Sequence, residues 1–302
     1  MIKAPPTPKG FRDIAPQLAK RRRETIGKIV QVLEEFEFVP IETPTLEFAD
    51  TLKGKYGEEE RLIYEFTDRG GRRLALRYDL TVPLARYVAT YNPPLPFRRY
   101  QIGQVFRGEN PQKGRFREFT QLDFDSVGFN DSDEDAKIVA VTLKCMRDLG
   151  FKDAIVLIND RANFSDLSVE VVRAMDKINK IGEEEVVQEL MASGMSADNA
   201  RKAVDKIKSL KPTENLEQIF NILKEKYGLK EGVDFKFDPT LARGLDYYTG
   251  AIFELKVDQE PNSLSVGGGG RYDNLIGMFS KKETPAVGFS FGLDRLMDLL
   301  YA

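Results

Sequence analysis

The 302-residue chain has no histidine, no tryptophan and one cysteine. Without histidine, the usual general base near neutral pH and the commonest zinc ligand are both missing. Ser-His-Asp and Cys-His nucleophilic catalysis are excluded outright. A lone cysteine, Cys145, excludes an internal disulfide framework and suits a reducing compartment, so a cytoplasmic location is expected. Cys145 falls on the helical stripe Ile138, Thr142, Cys145, Met146, Leu149 and reads as core filler rather than a reactive thiol. No apolar run approaches the ~20 residues needed to span a membrane. The opening MIKAPPTPKG has no apolar core of a secretory signal, so no membrane association is expected. Strong charge bias is missing too: 45 Lys and Arg stand against 48 Asp and Glu, a net charge of -3. Any contact with nucleic acid must then come from a local patch. Chemistry in such a chain has to run on carboxylates, arginines, backbone amides or a carboxylate-held magnesium ion.

Hydrophobic content of 41% and charged content of 31% describe a globular protein with ample core. Residues from about 18 to 35 have helical periodicity, with Ile26, Ile29, Val30, Leu33 and Phe36 on one side. FVPIETPTLEF is extended and broken by Pro40 and Pro44, as in an edge or interface segment. RRLALRYDLT reads as a strand, and VPLARYVATY as a helix with Pro83 in its first turn. Two strands follow, over about 97–107 and 115–128, joined by the turn-rich GENPQKG. A helix is expected over about 132–149, then a buried strand at AIVLIND. From about 165 to 228 the chain turns helical, charged and nearly free of aromatics, as a small inserted helical domain would be. After it come FKFDPTLARGLDYYTGAIFELKV, read as strand, and AVGFSFGLDRLMDLL, a strand running into a helix near Gly292. Hairpins rather than strict βαβ units predict an α+β fold on an antiparallel sheet. The expected division is 1–164 and 229–302 as two parts of one domain, with 165–228 inserted between them.

Within FRGENPQKGRFREFTQLDFD, a period of two puts Arg115, Arg117, Phe119, Gln121, Asp123 and Asp125 on one face. A strand face of that kind lines a polar site more readily than it faces water. GGGG at 267–270 lacks both the Gly-Lys-Ser/Thr ending and the G-x-G-x-x-G register, so it predicts a tight turn or close backbone packing. RGLDYYTG, with Arg243, Asp246, Tyr247 and Tyr248 between glycines, fits a polar turn and a site equally well. Arg295, in the first turn of the last helix, faces the unfavourable end of the helix dipole and invites an anionic partner. Arginines suited to phosphates (Arg107, Arg115, Arg243, Arg295), a ring for a base (Phe119) and carboxylates for an ammonium or a metal (Asp79, Asp123, Asp125) converge on a nucleotide plus a small zwitterion.

Along essentially its whole length the chain resembles the catalytic domain of the histidyl-tRNA synthetases, a family of class II aminoacyl-tRNA synthetases. FVPIETPTLE resembles class II motif 1, FRGENPQKGRFREFTQLDFD motif 2, and AVGFSFGLDRL motif 3. LARGLDYYTGAIFE and GGGGRYDNL resemble the two signatures peculiar to the histidine enzymes. The resemblance implies the class II antiparallel sheet flanked by helices, with the family's helical insertion. It implies activation of L-histidine with ATP and magnesium, and transfer to the acceptor end of tRNA(His). Arg107 and Arg243 would be catalytic. Arg107, Arg115, Phe119 and Arg295 would hold ATP. Asp79, Thr81, Gln121, Asp125, Arg243, Tyr247, Tyr248 and Tyr272 would hold histidine. Magnesium ligands are not assignable, and motif 1 implies a homodimer. Asp79 and Asp125 stand where many bacterial relatives have glutamates. The sequence ends soon after motif 3, without an anticodon-binding domain, which leaves two expectations. One is a catalytic core; the other is the paralogous regulatory subunit of ATP phosphoribosyltransferase, which senses histidine without activating it.

Overall fold

Strands alternating between an apolar and a polar row build most of the architecture. The computed structural model describes residues 5–111, 115–242, 247–260, 263–280 and 282–301. In chain order the strands are β1 (Val39–Pro40), β2 (Leu46–Phe48), β3 (Glu65–Thr67), β4 (Arg73–Leu76), β5 (Phe97–Phe106) and β6 (Glu118–Val127). They continue as β7 (Ile155–Asp160), β8 (Phe235–Phe237), β9 (Ala251–Lys256), β10 (Ser265–Arg271) and β11 (Ala286–Gly292). One eight-stranded sheet has the order β1-β5-β6-β11-β10-β9-β7-β8, and β2-β4-β3 forms a small second sheet. Among the strands of the described residues, β1 with β5 and β7 with β8, at the two ends of the large sheet, pair in parallel and the others antiparallel. The α+β class follows as expected from the hairpins.

The apolar rows of the large sheet lie on one face. Leu122 and Phe124 of β6 and Phe289 and Phe291 of β11 are buried there against helices Pro16–Glu35, Ser132–Asp148 and Glu214–Glu225. The rings of Phe124, Phe289 and Phe291 lie within 5.2 to 6.0 Å of one another. Local chemistry sets the helix ends. Pro16 opens the first helix, where a missing N–H costs nothing. The Asp131 carboxylate accepts from the Glu134 N–H at the start of Ser132–Asp148. Asn92, at a φ of 44°, ends the helix Thr81–Tyr91 in a left-handed cap.

Three local differences from the sequence reading have physical causes. Strand β6 starts at Glu118, not Arg115, because the Arg117 N–H donates to the Gly10 carbonyl at 2.8 Å and leaves the ladder direction. The four glycines form no turn: they are the body of β10, paired with β9 and β11. Helix Glu214–Glu225 falls inside the stretch 165–228, yet it buries Leu216, Ile219, Phe220 and Leu223 in the core of the large sheet. The preceding helices, from Val169–Met175 to Ala197–Lys208, pack instead with the cluster on the sheet's other side, around Phe164 and Leu241.

Candidate active site

The polar rows of β6 and β11 face a cleft of about 390 Å³. Gln121, Asp123 and Asp125 line it from β6, with Phe119 and Arg115 further out along the same segment. The alternation thus holds along the strand and stops at Arg117, whose Nε donates to the Glu109 carbonyl at 2.9 Å. Gly267, Gly268, Gly269, Gly288 and Gly292 supply the lining where side chains would fill the space. A Cβ on Gly288 would run into the Asp125 carboxylate, and one on Gly269 into the Gly288 carbonyl. Glycine is therefore required here for close approach, not for a turn. The alternation in AVGFSFG, small residues on one side and phenylalanines on the other, was a readable sign of this surface.

One end of the cleft is acidic. Asp79, buried just before the helix Thr81–Tyr91, accepts at Oδ1 from the Tyr56 hydroxyl at 2.9 Å and the Val82 N–H at 3.0 Å. Its Oδ2 accepts from the Tyr247 hydroxyl at 3.3 Å. Asp125 accepts from the Tyr272 hydroxyl, and its Oδ2 lies 2.7 Å from Arg99 Nη2. That second contact is an ion pair off the line of a straight hydrogen bond, since no donor is aligned on Asp125 Oδ2. Burial raises the pKa of both Asp79 and Asp125. Burial also pushes Asp123 up to about 7; Arg99 opposes that shift and the neighbouring Asp125 adds to it. Among the described residues, the buried atoms Gln121 Oε1 and Asp123 Oδ1 have no hydrogen-bond partner. Unpaired buried acceptors beside carboxylates form a receptacle for donors carried by a ligand, above all an ammonium group.

The other end is basic. Arg107 donates from Nε to the Tyr78 carbonyl at 3.2 Å, and its guanidinium stands over the rings of Tyr78 (4.2 Å) and Phe119 (5.1 Å). Arg115 reaches Glu109 at 3.5 Å, and Arg295 donates to the Ser265 carbonyl at 3.0 Å. Burial lowers the pKa of Arg295, and the nearby Arg115 and Arg107 lower it further, against Glu109 and Glu254. Mutually repelling arginines at a helix N-terminus favour an anion bearing several negative charges. Among the described residues no three His, Cys, Asp or Glu side chains are grouped to hold a metal ion.

Of the residues expected from the sequence, Arg107, Arg115, Phe119, Arg295, Asp79, Thr81, Gln121, Asp125, Tyr247, Tyr248 and Tyr272 all line this one cleft. Arg243 and Asp246 lie outside the described residues. The sequence reading missed the supports. The Asp294 carboxylate, beside Arg295, accepts from Arg22 Nη1 at 2.6 Å, from the Thr120 N–H at 2.7 Å and from Arg12. Arg12 also covers Phe116 at 3.9 Å, so the N-terminal segment braces both basic arms of the cleft. Nothing in the local sequence around Asp294 signals partners so far away along the chain.

The acidic end has a consequence for stability. With Asp123 near 3.8 when unfolded and about 7 when folded, the folded state binds more protons between those values. Stability therefore falls as pH rises through that window. Asp123→Asn removes the titration and should flatten this part of the curve. The expected result is a higher melting temperature than wild type at pH 8 and little difference at pH 4. An unchanged pH slope in the variant would refute the assignment.

Comparison with known proteins agrees with this geometry. The family model described as histidyl-tRNA synthetase matches residues 10–167 and 165–296. The histidine–tRNA ligase of Aeropyrum pernix is 42% identical over 97% of this chain and 74% of its own length. A crystal structure of histidyl-tRNA synthetase from Nostoc sp. PCC 7120 superposes with a TM-score of 0.79 at 28% identity, covering 98% of this chain and 75% of that one. A Bacillus halodurans structure, described as an ATP phosphoribosyltransferase regulatory subunit/histidyl-tRNA synthetase, has a TM-score of 0.77 at 23% identity. It covers 98% of this chain and 83% of that one, and carries the fold alone. With the motif segments gathered around a single cleft and a relative this similar over almost the whole chain, the protein belongs to the histidyl-tRNA synthetase family.

Proposed function

We propose that this chain activates L-histidine with ATP to histidyl-adenylate and passes the histidyl group to the acceptor end of tRNA(His). The observation that carries the reading is the polarity of the cleft. Arg107, Arg115 and Arg295 gather at one end, Asp79, Asp123 and Asp125 at the other, with a glycine-lined surface between them. A triphosphate fits the first end and an ammonium-bearing amino acid the second, so their reacting groups meet in the middle. The amino-acid carboxylate attacks the α-phosphorus; a carbon-bound oxygen joins phosphorus as the bond to the pyrophosphate oxygen breaks. The nucleophile is already an anion, so no proton has to be removed, which suits a chain without histidine. Arg107 neutralises charge developing at the α-phosphate, Arg115 and Arg295 hold the remaining phosphates and the base, and Phe119 offers a stacking face. Magnesium supplies further charge neutralisation when bound with the nucleotide. Arg243 would join Arg107 by the family resemblance.

In the histidine subsite, Gln121, Asp79 and Thr81 serve the α-ammonium group, and Asp125, Tyr248, Tyr247 and Tyr272 the imidazole. Selectivity then follows from leaving those buried groups unpaired when a wrong side chain enters. A histidine-sensing regulatory role would use the acidic end alone, and the intact arginines favour activation. The test is exchange of labelled pyrophosphate into ATP with each amino acid in turn. Histidine should support it in the absence of tRNA, and exchange with another amino acid instead would overturn the assignment of the subsite.

The cytoplasm is the proposed location, and a homodimer the proposed assembly. The motif 1 segment and the small sheet expose Val39, Leu46, Phe48 and Phe66, apolar side chains that a two-fold partner would cover. Sedimentation at micromolar concentration should give a dimer, and replacing Phe48 with Glu should give monomer; a wild-type monomer would refute the pairing.

A further inference from the structure

Strand β5 backs the site-facing row of β6 residue for residue: Arg99 lies opposite Asp125, Gln101 opposite Asp123, and Gly103 opposite Gln121. Of these, Gln101 is taken up by Thr43, to which its amide donates at 3.0 Å. Gly103 leaves room for the guanidinium of Arg77, which a Cβ there would meet. Arg99 is different. It is fully buried, its Nη2 lies 2.7 Å from Asp125 Oδ2, and the same nitrogen reaches the Leu80 carbonyl at 3.4 Å. Its Nε and Nη1 have no hydrogen-bond partner among the described residues. A guanidinium is costly to bury with donors unused, and neighbouring carboxylates are what offset that cost. Leu80 sits between Asp79 and Thr81, so one side chain touches both segments that line the acidic end.

We propose that Arg99 is a positioning residue for amino-acid selection: it keeps the Asp125 carboxylate ionised and oriented, and ties it to the segment 79–81. The inference deepens the proposed histidine-activating function and rests on that reading of the subsite. The groups facing Asp125 are Arg99 from β5, Tyr272 following β10, Asp123 on its own strand and Asp79 ahead of the helix Thr81–Tyr91; Gly288 of β11 brings no charge. Among the described residues, Arg99 is the single cation in that set. Burial opposes ionisation of Asp125 and Arg99 favours it. Without the guanidinium, the largest offset to the burial that disfavours the carboxylate is lost, so Asp125 holds its proton to higher pH than in the wild type and is a poorer charged acceptor for a ring N–H. Raising the pH then restores the carboxylate.

The experiment is calorimetric titration with L-histidine and, separately, with ATP, from pH 6.5 to 8.5, on wild type, Arg99→Met and Arg99→Lys. In Arg99→Met, histidine affinity should fall at least about tenfold at pH 7, as expected when a buried charged acceptor is lost, and recover as pH rises. ATP affinity should stay within about twofold, because the arginine end is untouched. Arg99→Lys keeps the charge but not the fork, so it should show a smaller loss with the flat pH profile of wild type. If Arg99→Met does not fold, the Lys variant decides. Arg99 is refuted as a positioning residue by unaltered histidine affinity in every folded variant, by equal losses for histidine and ATP, or by a loss in Arg99→Met that ignores pH. Binding is read independently of turnover, so a wild type that binds histidine but catalyses no exchange sinks the enzyme reading while leaving Arg99 judged on its own data.

Discussion

Arg107→Ala should lower histidine-dependent pyrophosphate exchange by about 10²–10³-fold, the range seen when one preorganised transition-state donor is removed. Histidine affinity should remain near wild type. Arg107 lies on the basic side of the cleft, anchored on the Tyr78 carbonyl and stacked on two aromatic rings. Those contacts fix the guanidinium before substrate arrives, so little reorganisation is needed when charge builds at the α-phosphate. An interaction strongest in the transition state shows in the rate and not in ground-state binding of the amino acid. Removing it also frees Phe119 of its cationic neighbour, so some loss of ATP affinity is expected as well. If histidine affinity falls as far as the exchange rate, Arg107 serves the amino-acid subsite and its assignment to the phosphate is wrong.

Asp125→Asn should produce the opposite pattern, weakening histidine by roughly a hundredfold, as expected for a buried hydrogen bond to a charged group, and ATP hardly at all. The amide keeps the size of the carboxylate, so the glycine surface at Gly288 still accommodates it. What changes is charge and donor count. An amide NH₂ must face either the Arg99 guanidinium, which pairs with Asp125 in the wild type, or the Tyr272 hydroxyl, which donates to it. Breaking one side of a buried ion pair typically costs about 3–5 kcal/mol. Asp123, close enough to Arg99 to feel its charge, offsets part of that by ionising. The variant should therefore melt at a lower temperature yet remain folded, and titration calorimetry should separate the two ligands. Equal weakening of histidine and ATP would count against the role given to Asp125.

The β6 face was legible because its period of two survives folding: Gln121, Asp123 and Asp125 do share one wall. It misled only at Arg117, where a backbone pairing with Gly10 takes the chain off the strand path. Arg99 was not legible. In FRRYQIGQVF two arginines are adjacent, and strand geometry sends them to opposite faces, Arg98 to Glu134 and Arg99 to Asp125. Adjacency does not say which face is the core of a site. The bracing of Asp294 by Arg12 and Arg22 was hidden for a related reason, since its partners meet only through the fold. The glycine run was half legible: close packing followed from its composition, but membership of a central strand depends on β9 and β11 on either side. The character of helix Glu214–Glu225 was also set by tertiary packing, because its apolar stripe fits either the inserted helices or the main core equally well.

Formation of the adenylate itself is the most direct measurement. The protein, ATP, magnesium and histidine, with inorganic pyrophosphatase to draw off the second product, should yield enzyme-bound histidyl-adenylate, detectable by mass spectrometry after acid quench. The yield should approach one per active site, and the signal should vanish when histidine is replaced by another amino acid. Histidine bound in the cleft with ATP left intact, and no adenylate formed, would contradict histidine activation by this chain.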